Sequence, residues 1–219
     1  AGSSWSRGNG ATFSTPGTFT QRSQYPTSFT TSNAPQNTLP PNINKLLGKW
    51  EVNGPTFGEH LNIDNLDKGF AEVKKDMGII MSVYQQLPSG PLKSKVGIVL
   101  YLQYLAQVRL VTKETQVAKL LFPESLQVHM TGNKPKDKNS YRLPRWYQKK
   151  RDLLGSILKN FSDLFRQSPS LWNNPPDLLE NMQDILEEGE KSLKTWNQFV
   201  SCFANPAQSE CREAVQKYS

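Results

Sequence analysis

The densest concentration of chemically capable side chains in this 219-residue chain is a run of cations interleaved with aromatics. Asn133 to Arg151 reads Asn-Lys-Pro-Lys-Asp-Lys-Asn-Ser-Tyr-Arg-Leu-Pro-Arg-Trp-Tyr-Gln-Lys-Lys-Arg. Lys134, Lys136, Lys138, Arg142, Arg145, Lys149, Lys150 and Arg151 stand against the single Asp137. Lysine and arginine neutralise phosphates, and Tyr141, Trp146 and Tyr147 offer flat faces on which unpaired bases stack. Arginine beside an aromatic also recurs in single-strand RNA recognition. These eleven residues form the candidate site for an anionic partner, with single-stranded RNA the first choice. The run matches no ribonucleoprotein, zinc-knuckle or KH signature. Docking on an acidic protein or membrane surface, or plain solvation of a loop anchored by Trp146, accounts for the same composition.

Other chemistry is thinly supported. His60 and His129 are the only histidines, and His60 has no second histidine four residues away, which excludes a zincin motif. No phosphate-cradling Gly-x-x-x-x-Gly-Lys-Ser/Thr loop, no Gly-x-Gly-x-x-Gly and no Cys-x-x-Cys occurs. Cys202 and Cys211 flank the Asn205-Pro206 turn; they form a disulfide in an oxidising compartment or remain two reduced thiols, and the spacing leaves both open. Asn160-Phe161-Ser162 is a formal glycosylation sequon, but it falls where Phe161 belongs to an apolar stripe. Asp184, Glu187, Glu188 and Glu190 fall between core positions and read as a solvated face. The expectation is a chain with no catalytic, cofactor-binding or metal-ligating residues, and not an enzyme.

The elements that must position the basic run are helical by period. Leu66, Phe70, Val73, Met77, Ile80, Met81, Tyr84 and Leu87 step by threes and fours up to the Pro88-Ser89-Gly90-Pro91 breaker. Val96 to Val111 is apolar on nearly every face, which predicts a helix packed on all sides, with a β-hairpin as the competing form. Val117 to Phe122 reads as a further short helix stopped by Pro123. Leu153, Leu154, Ile157, Leu158, Phe161, Leu164 and Phe165 form a stripe that ends at Ser168-Pro169. The longest stripe, Leu178 to Phe203, is opened by Pro175-Pro176-Asp177, with proline in the first turn and acid at the positive end of the helix dipole. A short last helix is expected near Ser209 to Lys217. The fold class is all-α, a bundle of four to five helices over residues 46–219, with Pro135 and Pro144 keeping 133–151 extended.

Residues 1–45 differ in kind. The first 41 hold fifteen Ser or Thr, five Pro and four Gly, and no acidic residue precedes Glu51. Such a composition buries too little apolar surface to offset the entropy of ordering. Trp5, Phe13, Phe19, Tyr25 and Phe29 recur along it, so it is read as an extended arm whose aromatics anchor in neighbouring subunits. An acid-free Ser/Thr-rich start at Ala1 also suits a chain from which an initiator Met or a presequence was removed.

Charge distribution completes the reading. Twenty-six Lys and Arg against nineteen Asp and Glu give +7 and a pI near 9.4. Eight cations and one Asp give residues 134–151 that same +7, so the remainder of the chain balances. Asp177, Glu180, Asp184, Glu187, Glu188 and Glu190 form an acidic counterpart with no basic residue among them. No apolar run reaches the roughly 18 residues that span a bilayer, so a soluble or peripherally attached protein is expected; its location is unknown, with a virion or an organelle both open. The function expected is a non-catalytic structural subunit of a large assembly. Its arm binds other protein subunits and its basic segment binds RNA, as in a coat or nucleocapsid. The alternative is an accessory or linker subunit of an organellar or membrane-associated complex that binds proteins and not nucleic acid.

Overall fold

The computed structural model describes residues 38–169 and 176–212, and no strand occurs among the described residues. Five α-helices carry most of them: α1 (Pro41–Asn53), α2 (Leu66–Gln86), α3 (Pro91–Thr131), α4 (Pro144–Gln167) and α5 (Met182–Ala204). Single 3-10 turns sit at Gly54–Thr56, Ile63–Asn65 and Asp177–Leu179. The all-α expectation holds for these residues. The chain divides into two compact units, one of residues up to Leu110 with Ser156–Leu186, the other of Val111–Gly155 with residues from Glu187 onward. Each unit has a core of its own.

In unit one, α1 opens with Pro41 at a position where its missing N–H costs nothing. Ile43, Leu47 and Trp50, at i, i+4 and i+7, are all buried. Asp76 of α2 is also buried, and it is compensated: it accepts from Lys49 Nζ at 2.6 Å and from the indole N–H of Trp50 at 2.9 Å. Lys49 also reaches Glu72 at 2.8 Å. Partial burial alone would lower the Lys49 pKa, but the hydrogen bonds to Asp76 and Glu72 outweigh it and raise the pKa above 10.5. The turn after α1 is held by Arg109 of α3, which donates to the Phe57 carbonyl at 2.8 Å and the Pro55 carbonyl at 3.0 Å. Gly58 in that turn has φ +88°, a conformation that only glycine adopts freely. Gly69 serves closeness instead, since a Cβ there would stand 2.6 Å from Leu61 Cδ1. Val96 to Leu110 is buried almost all round, and Tyr101 donates to the Leu164 carbonyl at 3.1 Å.

Unit two is built on rings. Phe122 and Phe199 stand 4.5 Å apart, Tyr147 and Phe203 5.0 Å, and Trp196 and Phe199 5.8 Å. Tilted and edge-on pairs of this kind add to the burial of their area. Buried hydroxyls serve the polar tips: Trp196 Nε1 donates to Thr115 Oγ1 at 2.7 Å, and Thr115 donates to the Val111 carbonyl at 2.8 Å. Nε2–H of His129 donates to the Phe203 carbonyl at 2.9 Å. Cys202 and Cys211 are bonded to one another, and both are buried.

Several expectations are corrected. The 45/46 division falls inside α1, which starts at Pro41, and Leu39 before it is already buried. The hairpin form of Val96 to Val111 is excluded, because these residues are helical. Pro123 does not stop a helix; α3 runs through it. A mid-helix proline costs about 3 kcal/mol, and burial of Ala118, Phe122 and Leu126 around it offsets that cost. The 133–151 segment is not extended throughout, since Pro144 opens α4 rather than excluding helix. Pro176-Asp177 leads into a 3-10 turn, and α5 starts only at Met182. The expectation of a short last helix is not overturned: residues 209–212 are helical, and the rest of its expected range lies outside the described residues. The arm anchors Trp5, Phe13, Phe19, Tyr25 and Phe29 lie outside the described residues.

Candidate nucleic-acid interface

All eleven candidate residues fall in unit two, on the connection from α3 to α4 and on the first two turns of α4. The connection begins at Gly132, whose φ of +75° and N–H bond to the Val128 carbonyl (2.8 Å) end α3. Asp137 then folds a tight turn. Its carboxylate accepts the Asn139 N–H at 2.9 Å, and its carbonyl accepts the Ser140 hydroxyl at 2.8 Å. The only acid of the segment thus serves the turn, with Lys134, Lys136 and Lys138 exposed around it.

Ser125 of α3 fixes where this connection returns. Its hydroxyl donates to the Leu121 carbonyl at 2.8 Å, and it accepts both the Arg142 backbone N–H at 2.9 Å and the Tyr147 hydroxyl at 2.8 Å. The Arg142 guanidinium folds back onto its own segment, donating to the Tyr141 carbonyl at 2.9 Å and lying 5.6 Å over the Trp146 ring. Arg145 and Lys149, one turn apart on α4, share a helix face and are both exposed.

Sorted by environment, the eleven separate. Lys134, Lys136, Lys138, Arg145 and Lys149 are exposed and, among the described residues, form no ion pair. Lys150 does not belong with them: its side chain is 16% exposed and pairs at 2.9 Å with Glu114, itself 10% exposed. Arg151 pairs with its neighbour Asp152 at 2.9 Å. Tyr147 is 0% exposed and is removed from the stacking set. Burial drives its hydroxyl pKa far above the usual 10, with the Ser125 hydrogen bond and Arg142 pulling weakly the other way. Trp146 and Tyr141 are half-buried, and Trp146 packs 5.4 Å from Trp196.

Sequence reasoning did not reach Ser125 and Glu114, two of the partners that position the segment; Trp196, the third, lies on the Leu178 to Phe203 stripe and is buried, but its packing against Trp146 was not foreseen. The burial of Tyr147 did leave a signal. The buried stripe Leu154, Ile157, Phe161, Leu164 carried back seven residues from Leu154 lands on Tyr147, and from Ile157 on half-buried Lys150.

Elsewhere, the exposed acids Asp177, Glu180, Asp184, Glu187, Glu188 and Glu190 have no cationic partner among the described residues. Asn160 of the sequon is 8% exposed and bonds to Ser156, an environment that a glycan does not reach. Among the described residues no cluster of three or more potential metal ligands occurs, and no helix is long and apolar enough to cross a membrane. Comparison with family models, curated proteins and solved structures gives no match for this chain.

Proposed function

We propose that this chain is a non-catalytic structural subunit of a large assembly, and that the basic segment of unit two holds single-stranded RNA in the manner of a coat or nucleocapsid protein. The observation that carries the reading is the group Lys134, Lys136, Lys138, Arg145 and Lys149: five exposed cations within sixteen residues, unpaired among the described residues. An unneutralised group of this size attracts a polyanion by releasing its condensed counterions. The segment preceding α1, with its spaced aromatics, links neighbouring subunits in this reading.

Two measurements test it. The native particle shows a nucleic-acid absorbance ratio at 260 and 280 nm that ribonuclease removes. With a labelled single-stranded RNA, replacing the five cations by Gln abolishes measurable binding at 150 mM salt while leaving the circular dichroism unchanged. With five phosphates neutralised on a single strand, the intact chain loses about two decades of affinity between 50 and 200 mM salt. A large particle with a clean protein spectrum, indifferent to ribonuclease, would sink the RNA reading and leave the accessory-subunit alternative standing.

A further inference from the structure

We infer that the unit-two surface recognises the phosphate chain of its partner and leaves the bases unread, so that its ligand class is a flexible polyanion of linked phosphates. The inference rests on the RNA reading above and specifies how that partner is gripped. Proteins that hold single strands by their bases present accessible aromatic platforms. Here the platforms are withdrawn. Tyr147 is buried among Phe122, Trp196, Phe199 and Phe203. Trp146 packs edge-on against Trp196 and Tyr147, with the Arg142 guanidinium over its ring. A base could stack there only by displacing a guanidinium already bonded to the Tyr141 and Asn139 carbonyls. Tyr141, half-buried, is the one aromatic of the segment left without a ring partner among the described residues. The exposed side-chain amides of Asn133, Asn139 and Gln148 have no partner among the described residues to orient them toward a base edge. What is presented outward is cationic: three lysines on a turn and an Arg/Lys pair on the following helix.

The experiment uses the full chain with poly(U), poly(A) and inorganic polyphosphate of similar length, the RNA homopolymers carrying a fluorophore. The two homopolymers bind with affinities within about threefold of one another, and polyphosphate displaces both at comparable phosphate concentration. The log–log salt slope is about −3.5 for five contacts and falls by about 2 in the Lys134→Gln, Lys136→Gln, Lys138→Gln variant. Tyr141→Ser binds within about twofold of the parent, since one base stack is not what holds the strand. A preference of tenfold or more between homopolymers, a tenfold loss in Tyr141→Ser, or RNA that polyphosphate cannot displace would overturn the phosphate-only grip while the RNA reading survives. Binding of polyphosphate without either RNA would overturn the RNA reading and leave the phosphate grip in place. Failure to bind any of the three overturns both.

Discussion

Gln103 is fully buried on α3, and among the described residues neither its amide oxygen nor its amide nitrogen has a hydrogen-bond partner. A buried polar group left unsatisfied costs about 1–3 kcal/mol. Gln103→Met keeps length and flexibility while removing both polar atoms, so it should raise the melting temperature in a thermal scan; a lower Tm would contradict the cost assigned to this amide. Titration gives a second test at this scale. Burial raises the pKa of Tyr147, and of Tyr104 together with the nearby Asp163, while the Asp76 and Glu72 hydrogen bonds raise that of Lys49. In all three the folded state holds its proton more tightly than the unfolded chain. Their contribution is therefore complete below the ordinary values near 10 and is lost as pH rises through the raised ones. As pH rises above 10 the protein should lose stability progressively, with Tyr104 and Tyr147 ionising at 295 nm only together with the loss of helical signal. Residue types at the candidate site were legible in the sequence, but their pairing was not. Nothing local tells Lys150 that Glu114, thirty-six residues earlier, will neutralise it, or distinguishes it from exposed Lys149.

At the scale of elements, period is a dependable guide wherever it is uninterrupted. The limits of α2 follow from its stripe and from the Pro88-Ser89-Gly90-Pro91 breaker. The misreadings come from proline. Pro123 and Pro144 both read as breaks in helix, whereas α3 contains the first and α4 begins with the second. The local rule is asymmetric: proline is harmless in a first turn and costly only further in. Whether tertiary burial offsets that cost at Pro123 cannot be read from neighbouring residues. α1 was hidden for another reason, since its three core residues Ile43, Leu47 and Trp50 are separated mostly by polar residues and a glycine. Their burial makes a definite expectation. Ile43→Ala should destabilise unit one by about 2–5 kcal/mol in denaturant unfolding. A chain that starts at Thr38 should unfold like the full protein, and one that starts at Leu46, lacking Leu39 and Ile43, should not.

For the molecule as a whole, the sequence already placed its entire net charge in one short segment, and the structure puts the unpaired part of that charge on the surface of unit two. Long-range attraction of a polyanion follows from that surplus and weakens with ionic strength. The division into two units was not legible, because α3, α4 and α5 each pass from one unit to the other without a break in their pattern. The connection carrying the lysines has one more property. The bonds after Lys136 and Lys138 lie in an exposed turn open to trypsin, whereas Lys134 is shielded by the proline that follows it. A cut there separates Phe122 from Tyr147, Phe199 and Phe203 in sequence, yet these rings pack together within unit two. The nicked chain should therefore migrate as one folded molecule and fall into two pieces only under denaturation. Since any ligand on those lysines covers the same bonds, the rate of nicking reports occupancy of the surface directly, with no label and whatever the occupant's chemistry.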